Sequence, residues 1–236
     1  MGNSYFRFKQ FVIHQDNCAM KVTTDACLFG AWINSKIQST ETLLDIGAGT
    51  GLLSMMLSQN RSVKVDAIEI ESSCHDQLCQ NITASPFSES INPILGDIKE
   101  WETNTRYQTV ISNPPFYEKQ LRSDQDGVNL ARHADGLTLH ALFTHAKRLM
   151  SSEGFFYVLM PFYRKLECLD MASQFELFPH CIADVKQSSF HEAFRVMIQF
   201  SATSGNFETE CITIKKNASD YADAFKLLLS PYYLNL

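Results

Sequence analysis

Leu43-Leu44-Asp45-Ile46-Gly47-Ala48-Gly49-Thr50-Gly51 is a short apolar run that enters a Gly-x-Gly-x-Gly turn. Leu52 to Ser58 follows without proline or glycine and reads as a helix. Strand, glycine turn and helix open a βαβ unit. Glycines let such a turn reach positive φ and let a ligand approach the backbone closely.

Outward from this stretch the pattern repeats. Lys64 to Ile70 reads as a second strand, Ser72 to Thr83 as a helix, Asn92 to Asp97 as a short third strand, and Gln108 to Ser112 as a fourth. Leu137, Leu139, Ala141, Leu142, Ala146, Leu149 and Met150 fall along one helical face, which Gly154 is expected to end. Strands over Phe155–Pro161, Leu177–Val185, Ala193–Phe200 and Glu210–Lys215 are predicted, with helices over Arg164–Gln174 and Ala218–Leu229. Upstream, Phe6 to Ile13 alternates like a strand with one buried face, and Thr24-Asp25 caps a helix through Ile33. Alternating strands and helices predict an α/β, Rossmann-like fold. The expectation is a mostly parallel seven-stranded sheet with one antiparallel strand and helices on both faces. Ligands of such sheets bind at the carboxyl ends of the strands. Tyr117 to Asp135 is polar and aperiodic, a binding loop or lid by its length.

No linker divides the 236 residues, so one domain is expected, with residues 1–40 as an extension packing over the site. The formal charge of −6 excludes a protein that coats nucleic acid through general basicity. It is unevenly spread. Residues 37–111 hold four basic and ten acidic groups, whereas residues 1–36 hold four and two. There is no signal-like h-region and no run long enough to span a bilayer. The seven scattered cysteines therefore read as reduced core thiols of a cytoplasmic protein, and no metal site is expected.

The glycine turn could serve two cofactor classes. A dinucleotide fingerprint places its third glycine at position 52, which is leucine. Asp45 beside the turn would repel a pyrophosphate but suits the cationic amino and sulfonium groups of S-adenosylmethionine. Glu69, at the end of the second strand, can accept from two ribose hydroxyls. Asp97, at the end of the third, can accept from an adenine amine, with Ile70 or Ile98 against the ring. Three acids at the ends of three successive strands make a pattern that isolated surface acids do not.

Asn113-Pro114-Pro115-Phe116 follows the fourth strand. The prolines fix the backbone and remove two N–H donors, leaving the Pro114 carbonyl and the Asn113 side-chain oxygen as acceptors. Phe116 supplies a stacking face. Two acceptors and a ring suit a planar exocyclic amine. Hydrogen bonds that pull its nitrogen toward tetrahedral geometry strengthen in the transition state.

Here the chain resembles class I S-adenosylmethionine-dependent amino-methyltransferases, and within them the bacterial tRNA(Val) adenine-37 N6-methyltransferase family. The likeness rests on Phe8-Lys9-Gln10-Phe11, Cys18-Ala19-Met20-Lys21-Val22, Thr24-Asp25, Leu44 to Gly49, Ile111 to Phe116, Tyr221 and Tyr232-Tyr233-Leu234. It implies that Asp45, Gly47 and Gly49 line the methionine end of the cofactor, that Glu69 holds the ribose and that Asp97 contacts the adenine, with Ala48, Gly51, Ile70, Ile98 and Asn113 also counted among the cofactor-binding residues. Lys21, Thr24 and Asp25 would close the site, and Asn113, Pro114, Pro115 and Phe116 would hold the target base. The partner implied is tRNA, met by Arg7, Lys9, Lys21, Lys119, Arg122, Arg132 and Arg195, with no membrane involved and the protein a monomer. A protein glutamine amide, a guanine N2 amine of rRNA, DNA adenine and a non-catalytic binding module are the competing readings. A nicotinamide-dependent dehydrogenase is disfavoured by Leu52.

Overall fold

Leu43, Ile111 and Tyr157 face one side of a sheet, and Leu44, Val110 and Phe156 face the other. This period of two, on strands buried on both faces, sets the layers. The protein is represented by a computed structural model that describes residues 3–18, 20–59, 61–115 and 137–236. In chain order the elements are β1 (Tyr5–Arg7), β2 (Val12–His14), α1 (Thr24–Lys36), β3 (Thr42–Ile46), α2 (Leu52–Ser58), β4 (Lys64–Glu69), α3 (Ser72–Thr83), β5 (Ile91–Leu95) and β6 (Tyr107–Ser112). They continue with α4 (Leu139–Leu149), β7 (Met150–Pro161), a 3₁₀ turn (Phe162–Arg164), α5 (Lys165–Gln174), β8 (Phe178–Ser188), β9 (Ala193–Ser201), β10 (Glu208–Lys215) and α6 (Asp223–Leu229).

The main sheet has the order β10-β8-β9-β7-β6-β3-β4-β5, with β9 antiparallel to β7 and β8 and the other pairs parallel. Among the described residues it has eight strands, one more than the seven expected, because β10 extends the edge beyond β8. Residues of α1, α2, α3 and α6, including Phe29, Trp32, Met56, Leu78 and Phe225, pack on one face. Leu142 and Phe143 of α4 and Cys168 and Ala172 of α5 pack on the other. Strand order reverses between β3 and β6, and their carboxyl ends mark the switch point where a ligand fits.

Three local expectations are corrected. The strand predicted over Phe6–Ile13 is a hairpin, β1 with β2, turned by the 2.9 Å bond from Phe8 N–H to the Phe11 carbonyl. Phe8 and Phe11 are both buried, and a shift of three rather than two between them breaks the alternation. Gly154 lies inside β7 rather than at a helix end, because a Cβ there would come 2.9 Å from the Tyr107 carbonyl of β6. The cap of α1 is Thr23, whose side chain accepts from Ala26 N–H, one residue before the Thr24 expected.

Candidate active site

Gly47, Gly49 and Gly51 all have positive φ, at 74°, 56° and 85°. Their reasons differ. A Cβ on Gly47 or Gly49 would meet no atom within 4 Å, so those two line open space above the end of β3. A Cβ on Gly51 would come 2.7 Å from Leu78 Cδ1. Gly51 therefore serves the packing of α3 and the start of α2, rather than the cradle in which sequence placed it. The loop is pinned from β4, where the Ile68 carbonyl accepts from the N–H groups of both Gly47 and Ala48 at 3.0 Å.

Two carboxylates flank the cradle in opposite states. Glu69 is satisfied, with Oε2 accepting from Gly49 N–H at 2.8 Å and Oε1 from Glu71 N–H at 2.9 Å. A carboxylate has about four lone-pair sites, so capacity remains for two hydroxyls. Asp45 is 1% exposed; its Oδ2 accepts from the Ser54 hydroxyl at 2.7 Å, while Oδ1 is buried without a partner. Burial and then the nearby Glu69 push its carboxyl up to about 7, against the pull of the Ser54 bond. A buried orphan acceptor beside an open glycine cradle fits a cationic amino group, as in the methionine moiety of S-adenosylmethionine. Ile70 is 57% exposed beyond Glu69 and offers an apolar face, whereas Ile98 is buried with Leu44 and Ile68 in the core beneath. Asp97 Oδ2 pairs with Lys99 at 3.2 Å, and its Oδ1 accepts from Lys99 N–H.

Asn113 is placed by its predecessor. The buried Ser112 hydroxyl donates to the Ile46 carbonyl at 2.9 Å, tying the end of β6 to the start of the glycine loop. Asn113 Nδ2 faces Met20 Sδ at 4.0 Å, which leaves its Oδ1 as the acceptor. Met20 belongs to a segment fastened to α3. Asn81 donates to the His14 carbonyl and accepts from His14 N–H, Gln77 accepts from Asn17 N–H, and Cys18 is disulfide-bonded to Cys74. This bridge corrects the expectation of uniformly reduced thiols: the segment after β2 lies along α3, which brings Cys18 against Cys74 in the first turn of that helix, 56 residues on. Lys21, assigned to the cofactor and to RNA, donates to the Gln15 carbonyl, and Gln15 Oε1 accepts from Val22 N–H.

The family described as "Methyltransferase small domain" matches residues 30–183. A curated protein from Dyadobacter fermentans named tRNA1(Val) (adenine(37)-N6)-methyltransferase is 37% identical, over 98% of each chain. Another of that name, from Escherichia fergusonii, is 35% identical over 97% of this chain and 94% of its own. The chain belongs to the tRNA1(Val) (adenine(37)-N6)-methyltransferase family. Its fold is shared with solved class I methyltransferases, among them a protein described as a predicted O-methyltransferase from Agrobacterium tumefaciens (TM-score 0.67, 15% identity, 90% of this chain and 100% of that one). A second is described as a putative RNA methyltransferase from Pyrococcus horikoshii (TM-score 0.54, 18% identity, 75% and 83% of the two chains).

In this member of the adenine-37 methyltransferase family, the remaining predicted residues scatter. Asp25 and Arg195, assigned by sequence to cofactor and RNA, are joined to each other at 2.7 Å, fixing the start of α1 to β9. Lys9 donates to the Ser230 carbonyl, in a tail that packs on the far end of α2 through Gln59 and Tyr232. It is thereby removed from the glycine loop. Arg7 is exposed on β1, and Thr24 is exposed at the first position of α1. Pro114 is buried and Pro115 exposed. Phe116, Lys119, Arg122 and Arg132 lie outside the described residues. Sequence reasoning missed Ser54, Ser112, Gln15 and Asn81. Ser54 alone carried a signal, a polar residue amid the apolar run of α2. Cys181, Glu208 and Glu210 could hold a metal, but the Lys36 ammonium already sits at Glu210.

Proposed function

We propose that the protein uses S-adenosylmethionine to methylate N6 of an adenine in tRNA, position 37 of valine tRNA, acting as a monomer in the cytoplasm. The observation that carries this reading is the junction at Ser112 and Ile46. It sets an acceptor pair suited to an exocyclic amine against a glycine cradle with an orphaned buried carboxylate oxygen. End-to-end similarity to curated relatives of that name supports the substrate.

Asp45 holds the cationic amino group, Gly47 and Gly49 leave room for the methionine chain, and Glu69 accepts from the ribose hydroxyls. Ile70 lies against the adenine of the cofactor, beside Asp97. When bound, S-adenosylmethionine supplies an electrophilic methyl group. The chain's part is to prepare the nucleophile. Asn113 Oδ1 and the Pro114 carbonyl accept the two N6 hydrogens, which draws the nitrogen lone pair out of conjugation with the ring. The same acceptors steady the positive charge that develops on N6, and the surplus proton leaves afterwards to water, so a dedicated strong base is unnecessary. The target base must leave its stack to reach this pocket.

The test is incubation with labelled S-adenosylmethionine and total RNA, followed by nucleoside mapping. Label in N6-methyladenosine of a single tRNA species, lost in Asn113→Ala, is the expected result. Label in N2-methylguanosine, in DNA or in protein glutamine would replace the substrate assignment.

A further inference from the structure

Immediately beyond β7 the chain makes a single 3₁₀ turn, Phe162–Arg164. β7 is the parallel neighbour of β6, with Val158 opposite Ser112, so this turn rises beside Asn113. Arg164 lines a small hollow together with Pro114, Pro115, Leu142 and Met160, which places it directly behind the target turn. Its neighbour Tyr163 is 68% exposed. Two strands farther along the same carboxyl edge, Phe190 is 92% exposed at the β8–β9 turn. That turn is braced: His191 N–H donates to the Ser188 carbonyl at 3.1 Å, Phe190 N–H to Ser188 Oγ at 3.3 Å, and Ser188 Oγ meets His191 Nδ1 at 2.7 Å. Aromatic rings held out on ordered backbone, next to a substrate site, suit a ligand with flat faces. Arg164 uses Nε and one Nη on the carboxylate of Glu167, both at 2.7 Å. The pair fixes the guanidinium plane, and the second Nη takes no partner among the described residues.

We propose that Tyr163 and Arg164, continued by Phe190, form a ledge that docks the RNA strand next to the target adenine. Tyr163 stacks on the unpaired base adjacent to the one withdrawn into the site. The second Nη of Arg164 donates to the phosphate between them, and Phe190 receives a base farther along. The order follows the sheet: with strands about 4.8 Å apart, the strand leaving Asn113 passes Tyr163 before Phe190. Recognition through base faces and backbone accounts for a binding surface that is not strongly basic. The inference rests on the reading of the protein as an RNA methyltransferase.

The test uses the full chain, transcribed valine tRNA and S-adenosylmethionine. Tyr163→Ala is expected to raise KM for tRNA about tenfold, the loss of one stacked base, and Phe190→Ala by less. In Tyr163→Ala the kcat and the Kd for S-adenosylmethionine stay at wild-type values, and Tyr163→Phe restores the KM. Arg164→Ala lowers the slope of log affinity against log salt by about one, whereas Glu167→Ala leaves the slope in place. A wild-type KM and salt slope in both Tyr163→Ala and Arg164→Ala, with methylation intact, overturn the ledge and leave its aromatic rings to a protein partner. Absence of RNA methylation by the unaltered chain overturns the reading beneath it as well.

Discussion

On the β3–β5 side of the switch point the site is made of backbone and buried acids. The positive-φ glycines, the paired N–H groups on the Ile68 carbonyl and the two carboxylates all sit on strand ends or are hydrogen-bonded to them. On the β6–β9 side it is made of a proline-fixed turn and exposed side chains, with Tyr163 and Phe190 standing in solvent. The charge follows the same division. Residues 37–111 carry four basic and ten acidic groups, against nine and ten in residues 112–200. A cationic cofactor of fixed shape suits the first construction, and a large, nearly neutral-faced reading surface suits the second. Binding a small cation and positioning a base are thus separable, and mutations should separate them.

Asn113→Ala should break the target side alone. Methyl transfer is expected to fall about 10³-fold, the effect of removing one preorganised charge-stabilising group. Single-turnover rates and cofactor binding by calorimetry check this; an equal loss of both would merge the two sides.

Glu69→Ala should break the other side. It removes an acceptor for the Gly49 and Glu71 N–H groups as well as for the ribose. Losing charge-assisted bonds of this kind is expected to weaken S-adenosylmethionine binding about 10²-fold. The kcat at saturating cofactor should change far less, and a large fall in it would deny the separation.

Within the cofactor side, the glycines divide again. Gly51→Ala meets both a positive φ and Leu78, and is expected to cost about 2–4 kcal/mol of stability. Gly49→Ala meets only the φ, costing about 1 kcal/mol, while its methyl fills the cradle and weakens cofactor binding. Thermal melts and cofactor titrations of the two variants should therefore rank in opposite orders.

The gentlest probe is pH. With the Asp45 carboxyl pushed up to about 7, the free protein holds it partly protonated near neutrality, and a cationic ligand selects the ionised form. Affinity should rise as pH climbs through about 7 and level off above it, with proton release on binding. Titrations in buffers of different ionisation enthalpy measure that release, and Asp45→Asn should abolish it. For the free protein the sign is opposite. The folded carboxyl lies above its usual 3.8, so Asp45 favours folding most below that value and least above about 7.

Sequence made the cofactor side legible because its chemistry is local. Asp45, Gly47, Gly49 and Glu69 lie at strand ends, and strand ends can be read from periodicity and glycine placement. The helices Leu52–Ser58 and Ser72–Thr83 were read to the residue because they are bounded by turn residues and broken by no glycine or proline. The target side was less legible because its contacts are non-local. Nothing in the spacing of Arg195 shows that Asp25, 170 residues away, occupies it. Nothing about Lys9 shows that it faces the C-terminal tail. The hairpin at Phe8 and Phe11 was missed for a different reason, since one shift in alternation was read through as a single strand. Tyr163 and Arg164 matched no motif; the hollow that Arg164 shares with Pro114 and the exposure of the Tyr163 ring bring them to notice.

The bridge between Cys18 and Cys74 sets which margin of the site is covalently fastened. With Asn81 and Gln77 it fastens the stretch around His14 to Cys18 to α3, the helix whose Leu78 lies against Gly51 of the glycine loop. The opposite margin rests on a 4.0 Å contact between Met20 and Asn113. One margin is thus held by a covalent bond and three hydrogen bonds and the other by the sulfur contact of Met20, so the two sides of the site differ in how firmly they are fastened as well as in charge.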